Sequence, residues 1–465
     1  MSFARTITML FGFSKLRRFS RLRTKNCGQM GSYRTRGLQA IHRRRAIWIF
    51  QRVTITLNAL MKARFQTSGL ESRAISAFVA AVPTVQLKYQ TFHPSIWPKM
   101  IGEVSRDATP GAFVLVLGKE GTPFGWGLWN PKSRMPLRVV SHSLEELEDE
   151  SFFENAIRRA ANLRREALKL DAQTDSYRAI HGDADFMPGI VADKFADVLS
   201  VEITNLAAWQ RLPKWLPLLH ECFDTKRVVV GVDTDLARIE GIPHRGGVES
   251  DNVRSVKIRE HGVRYEVDFS EGHKTGFFCD QRDSRKKFGA LAAGRTVLDL
   301  CCYTGGFGIS AALAGAEDVT GVDLDETAIA MAKRNANLNN ARVKFTHADA
   351  FTWARTMIEN GRTWDLVIAD PPKFIHGRED DIGTAKYADL NKLALQLVAP
   401  EGLYVTCSCS GMLGAGEFEQ IVITSAHRRS KRLQTFDRTG AGPDHPTLSN
   451  YPESRYLKVL WSRVI

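Results

Sequence analysis

Acid is missing from the start of this chain. Residues 1–70 hold 12 Arg and 3 Lys and neither Asp nor Glu. That segment's charge of +15 exceeds the +13 of the whole chain, so the remainder carries −2. A near-neutral body excludes a surface that is basic all over, and contact with nucleic acid would need a local patch. No apolar run reaches the roughly 18 residues of a membrane-crossing helix, which excludes a helical span. Cysteine is sparse, with seven residues at 27, 222, 279, 301, 302, 407 and 409. None are spaced C-x-x-C, and Cys407-Ser408-Cys409 is one residue too close for that motif. This excludes a zinc-finger type of site and a disulfide framework, and points to reduced thiols in a cytosol-like compartment.

A length of 465 residues with 43% hydrophobic and 25% charged content fits a packed, soluble chain of about three domains. Residues 1–84 read as a basic, disordered leader. Three origins compete for it: an RNA-gripping arm, an organellar transit segment, or sequence ahead of a true start at Met61. Residues 86–142 change character. Gly111 to Leu117, Phe124 to Trp129 and Leu137 to Val140 are short strands separated by glycine turns, the pattern of a small β-barrel. Its Lys88, Lys99, Lys119, Lys132, Arg134 and Arg138 form either a solvated face or an RNA contact. Leu144 to Leu170 is charged throughout and reads as a solvent-facing linker helix, acidic at its start and basic at its end. Residues 176–268 read as an α+β middle domain, with strands at Val198 to Ile203, Arg227 to Val232 and Val263 to Phe269 and a helix from Trp209 to Phe223.

The stretch that organises the rest is residues 296–325, TVLDLCCYTGGFGISAALAGAEDVTGVDLD. A strand (Thr296 to Leu300) runs into a turn carrying Gly305, Gly306 and Gly308. A small-residue helix and a second strand ending on Asp323 follow. This is a unit of a parallel, Rossmann-like α/β sheet. Gly306 to Ala311 fits G-x-G-x-x-[GA], a weak dinucleotide signal. Asp299 argues against a dinucleotide, because a carboxylate there would repel a pyrophosphate. It would attract a ligand bearing an ammonium and a sulfonium, and Asp323 can accept both hydroxyls of a ribose. S-adenosylmethionine has those groups and no phosphate.

Glu271 to Arg285 is polar and aromatic. It either lines the methionine end of such a donor or forms a helix start capped by Asp280 or Asp283. Asp349 is placed to accept from an adenine amino group. The strand Trp364 to Ala369 ends in Asp370-Pro371-Pro372-Lys373-Phe374, where ligands of α/β sheets bind, so Asp370 and Lys373 are expected to face donor and substrate. Tyr303 and Arg282 complete the expected cofactor set. Leu403 to Thr406 leads into Cys407-Ser408-Cys409-Ser410-Gly411. A thiolate beside a methyl donor suggests covalent catalysis. Added to carbon 6 of a pyrimidine, it makes carbon 5 nucleophilic enough to take a methyl group.

Five segments together resemble the bacterial 23S ribosomal RNA cytosine-5 methyltransferases that carry an N-terminal PUA domain. They are EGHKTGFFCDQRDSR (271–285), LDLCCYTGGFG (298–308), DPPKF (370–374), SCSG (408–411) and DHPTLSNYPESRYLK (444–458). HPSIW (93–97) and GLWNPKS (127–133) match more loosely. The resemblance spans about residues 86–465 and implies a methyltransferase domain from residue 269 onward, S-adenosylmethionine as donor and RNA as partner. It implies Cys409 as nucleophile ahead of Cys407, Asp370 and Lys373 on the target base, and Asp323 and Asp349 on the adenosine. Related proteins with a similar DPP motif modify guanine, so the choice of base rests on SCSG. The rival classes are a guanine-nitrogen or uracil-5 RNA methyltransferase, a non-catalytic RNA-binding assembly factor and a nicotinamide oxidoreductase.

Overall fold

The computed structural model describes residues 82–143, 149–243, 247–270, 276–377 and 379–465. The expected leader up to residue 81, residues 144–148 with Glu145, Glu146 and Glu148, and residues 271–275 lie outside them. Six strands build the first sheet: β1 (Thr84–Leu87), β2 (Ser95–Ile96), β3 (Ile101–Val104), β4 (Phe113–Leu117), β5 (Pro123–Trp129) and β6 (Leu137–Ser141), in the order β2-β6-β5-β4-β1-β3. The glycine turns announced β4 to β6. Strands β1 to β3 are short and take their identity from distant partners; β1, which starts inside the stretch read as leader, lies parallel to β4 across Val85 and Val116.

The segment read as a solvent-facing linker is corrected. Helix α1 (Asp149–Asn162) buries Phe153, Ala156, Ile157, Ala160 and Ala161. Arg164, just beyond it, is fully buried and donates to both oxygens of Asp185 at 2.6 and 2.8 Å. The density of charge hid an apolar stripe at i, i+3, i+4, i+7 and i+8.

The middle sheet, in the order β10-β9-β8-β7, is made of β7 (Ser176–His181), β8 (Ile190–Phe195), β9 (Val198–Ile203) and β10 (Arg227–Val232). Helix α2 (Leu206–Phe223) joins β9 to its parallel neighbour β10, and Asn205 caps it through Ala208 N–H. After α3 (Thr234–Glu240), an antiparallel hairpin of β11 (Ser255–Glu260) and β12 (Val263–Asp268) leads to the largest sheet.

That sheet holds β13 (Thr296–Leu300), β14 (Asp318–Asp323), β15 (Lys344–His347), β16 (Trp364–Ala369), β17 (Val398–Ser408), β18 (Leu433–Thr439) and β19 (Lys458–Val464), in the order β15-β14-β13-β16-β17-β19-β18. The strands from β13 to β17 pair in parallel, and β19 runs antiparallel to both β17 and β18. The side-chain period of two divides the core. Leu298, Leu300, Val367, Ala369 and Tyr404 pack beneath α7 (Ala350–Glu359), α8 (Asp381–Gln396) and α9 (Ala415–His427). Val297, Leu366, Ile368, Val405 and Trp461 pack against α4 (Arg282–Ala290) and α5 (Gly306–Leu313) on the other face. Burial on both faces explains why these strands read as nearly unbroken apolar runs. The remaining helix, α6 (Glu326–Leu338), follows β14.

Candidate active site

The turn after β13 is held from beneath. Asp299 is fully buried, and its Oδ2 accepts the Gly308 N–H at 2.9 Å. Burial pushes its carboxyl up to about 8, against the Gly308 N–H and with help from Asp370 and Asp323. Its Oδ1 finds no hydrogen-bond partner among the described residues. Above it the backbone enters the left-handed region at Cys301 (φ 62°), Tyr303 (φ 48°) and Gly305 (φ 84°). Such strain, about 1–3 kcal/mol for a non-glycine residue, collects at functional turns. A Cβ on Gly305 would lie 2.7 Å from the Phe345 ring, and one on Gly306 2.6 Å from Arg285 Cδ. Both glycines are therefore needed for close packing.

Three carboxylates follow strands β14, β15 and β16, the last of which is separated from the other two by β13. Asp323, at the end of β14, accepts Tyr303 N–H at 2.8 Å and Asp325 N–H at 2.9 Å, which ties the turn to the second strand. Asp349, past β15, caps α7 through Thr352 N–H and its hydroxyl at 2.9 and 2.8 Å. Asp370, past β16, accepts Gln281 Nε2 at 3.1 Å. A close glycine turn, an orphaned buried carboxyl oxygen and strand-end acids fit a ligand that is cationic and carries a ribose. They would not suit a pyrophosphate.

Beside this edge lies a cavity of about 570 Å³, lined by Phe278, Asp280, Asp370, Lys373, Cys409 and Tyr456, among others. Arg178, His181 and Glu202 of the middle sheet also line it. Cys409 is partly exposed there, whereas Cys407 is fully buried in the core. Burial, with Asp370 nearby, pushes the Cys407 thiol well above its ordinary range. Burial and the charge of Asp280 raise Asp370 to about 7, with the Gln281 amide and the Cys407 thiol opposing. Lys458 Nζ donates to the carbonyls of Ser410, Leu413 and Tyr456 at 2.6, 2.9 and 2.8 Å, fixing the loop that follows Cys409. Burial lowers its ammonium to about 8, with Cys409 and Glu417 opposing.

Arg282, expected with the cofactor, stands elsewhere. It is wholly buried and donates to both oxygens of Asp444, at 3.0 and 2.8 Å. Asp280 and Asp283 do not cap α4, which starts without a side-chain cap. Asp280 instead accepts Tyr456 Oη at 2.6 Å. Arg285 reaches back to both oxygens of Glu260 on β11 at 2.7 and 2.6 Å. The sequence reading missed Tyr456, Lys458 and the middle-sheet wall. Tyr456 and Lys458 lie in the tail motif SRYLK, whose mixture of aromatic and basic residues was the available signal.

Residues 247–460 match the S-adenosylmethionine-dependent methyltransferase family, and residues 83–142 match a PUA-like domain. The fold is similar to that of a solved S-adenosylmethionine-dependent methyltransferase from Streptococcus mutans, with a TM-score of 0.69 at 18% identity over 82% of this chain and 99% of that one. A second structure, SMU.776 complexed with SAH, gives a TM-score of 0.70 at 19% identity over 82% and 99%. Fold and site together define a class I S-adenosylmethionine-dependent methyltransferase with a PUA-like domain ahead of it. Two proteins named Ribosomal RNA large subunit methyltransferase I are similar to it in sequence. That of Tolumonas auensis is 34% identical over 380 residues, covering 80% of this chain and 96% of its own. That of Erwinia tasmaniensis is 33% identical over 379 residues, covering 80% and 96%. The chain belongs to the ribosomal RNA large subunit methyltransferase I family. Membership removes the oxidoreductase reading.

Proposed function

We propose that this enzyme forms 5-methylcytosine in large-subunit (23S) ribosomal RNA, in the cytoplasm, through a covalent bond between Cys409 and carbon 6 of the target base. The observation that carries this reading is the separation of the two thiols: Cys409 lines the cavity with Asp370 and Lys373, and Cys407 is sealed in the core. The relatives' name supports ribosomal RNA as the substrate, and the PUA-like domain supports RNA as the partner. The methyl donor would be held by the glycine turn, Asp323 and Asp349, with Asp299 beneath, and it supplies the methyl group.

The chain's own residues divide the remaining work. The Cys409 thiolate adds to carbon 6 and saturates that position. Electron density moves toward N3, where a protonated Asp370 can hold a proton; a carboxyl raised to about 7 keeps a protonated share at neutral pH. Lys373 faces the same space and suits the carbonyl oxygen of the base. Carbon 6 must be open to attack, so the base has to be unpaired or turned out of its helix.

Nucleoside mass spectrometry tests the reading. Undermethylated ribosomal RNA is incubated with S-adenosylmethionine and either wild type or Cys409→Ala. New 5-methylcytosine from the wild type alone is expected. A methylated guanine or uracil, or equal product from the variant, would overturn it.

A further inference from the structure

Methylation at carbon 5 leaves a hydrogen to be removed. Once that carbon holds the methyl group it is tetrahedral, and its hydrogen must leave as a proton before the sulfur can depart. The cavity contains several titratable groups, and most are committed. Arg178 and Lys373 are cations, and Arg178 is held by Asp193 at 2.6 Å. His181 Nδ1 lies 2.9 Å from Arg178 Nη1, which occupies its lone pair. Cys279 is buried against Ser176. Glu202 is on β9 of the middle sheet, not on the segments that carry Asp370 and Cys409. Asp370 accepts from Gln281 and is the carboxyl that holds a proton.

Asp280 remains. Its Oδ2 accepts the Tyr456 hydroxyl at 2.6 Å. Its Oδ1 is shielded from solvent and has no hydrogen-bond partner among the described residues. It directly precedes Gln281, whose amide reaches Asp370. Two carboxyl groups therefore border one space with different environments, the arrangement that separates an acid from a base.

We propose that Asp280 is the base that takes the carbon-5 proton, with Tyr456 as the positioning residue that holds its carboxylate in place. The proposal rests on the cytosine-5 reading above. Sulfur of Cys409 bonds to carbon 6, and the pair displaced from the C5–C6 double bond makes carbon 5 nucleophilic while N3 takes the proton of Asp370. Carbon 5 bonds to the methyl carbon, and the donor's sulfonium leaves as a neutral thioether. Asp280 then accepts the carbon-5 proton. The freed C–H pair restores the C5–C6 double bond, the C6–S pair returns to Cys409 as thiolate, and N3 returns its proton to Asp370. The net proton remains on Asp280 and passes to solvent.

The test uses the full chain with two ribosomal RNA transcripts, one ordinary and one made with 5-fluorocytidine. Fluorine cannot leave as a cation, so wild type with the fluorinated RNA and S-adenosylmethionine is expected to give a complex that survives denaturing electrophoresis. Asp280→Asn is expected to lose about 10²–10⁴-fold in turnover and to accumulate the same donor-dependent complex on ordinary RNA. Asp280→Glu should recover part of the turnover. Tyr456→Phe should lower kcat with KM for RNA unchanged, whereas a merely structural role would lower Tm alone. Wild-type turnover by Asp280→Asn would overturn the assignment. So would a folded Asp280→Asn that is inactive without a complex, while wild type is trapped by the fluorinated RNA. If the wild type itself is not trapped, the Cys409 reading falls and the assignment falls with it.

Discussion

Arg282 and Asp444 face each other through two hydrogen bonds, 3.0 and 2.8 Å long, with both side chains fully buried. Asp444 Oδ2 also accepts Arg178 N–H at 2.9 Å, and its carbonyl accepts Arg164 Nη2 at 2.7 Å. Burial opposes the charge of Asp444, yet His445 and Arg282 hold its carboxyl well below the usual range. Arg282→Ala leaves that carboxylate buried and uncompensated, and is expected to cost about 3–5 kcal/mol. Arg282→Lys keeps the charge, loses the two-pronged fit and should fall between the two. Urea denaturation measures both. Binding of S-adenosylhomocysteine by folded Arg282→Lys should match wild type, which separates this placement from a direct cofactor contact.

The two thiols of the C-S-C segment are expected to behave oppositely. Cys407→Ala removes a buried atom and should cost about 1 kcal/mol while leaving methylation intact. Iodoacetamide should label Cys409 and spare Cys407 in the folded protein, as mass spectrometry of tryptic peptides would report. Preferential labelling of Cys407 would contradict the burial of its side chain.

Asp299 gives a pH dependence of definite sign. Its carboxyl is raised to about 8 in the fold and titrates near 3.9 when unfolded. The folded state thus binds the proton more tightly. Its contribution to stability is complete below about pH 4 and is lost as pH rises through 8, with a slope of at most about 1.4 kcal/mol per pH unit. Asp370, raised to about 7, acts in the same direction. Asp299→Asn keeps an oxygen for the Gly308 N–H and removes the titration. Its urea midpoint relative to wild type should therefore be higher at pH 8.5 than at pH 5.

Lys458→Met tests the loop behind the thiol. It leaves three buried carbonyls without their donor, and is expected to cost about 2–4 kcal/mol, given 1–3 kcal/mol for each orphaned group and partial repair by water. Alkylation of Cys409 at pH 7 should slow, because a neighbouring cation that favours the thiolate is gone. A variant with wild-type stability and alkylation rate would show that the amine does neither.

What could be read from the sequence was local. The run from Thr296 to Asp323 contains its own strands, turn and helix, and each assignment there used residues within about one turn of each other. DPPKF and SCSG announced themselves through proline, glycine and sulfur chemistry. Arg164 misled because charge is usually a mark of solvent, and Arg282 because a cation just ahead of the glycine turn was read as a cofactor contact. Each is buried against an acid that the sequence places far away, 162 residues in one case and 21 in the other. The Asp280–Tyr456 contact spans 176 residues, and no local pattern encodes a pair of that separation. The short strands β1 to β3 were missed for a similar reason, since a strand of two to four residues is defined by its neighbours.

Glu260 and Arg285 stand on opposite sides of the junction at which a protein engineer would cut this gene to obtain a free-standing catalytic fragment. Separation there would expose one stranded guanidinium in the remaining core and would take away the β7 backbone that contacts Asp444. Substituting the middle segment with that of a distant cousin would do the same unless acid and base were exchanged together. The segments are therefore constrained to be inherited as a set: recombination between them is penalised, and drift at Glu260 is tolerated only with a matching change at Arg285 across the junction.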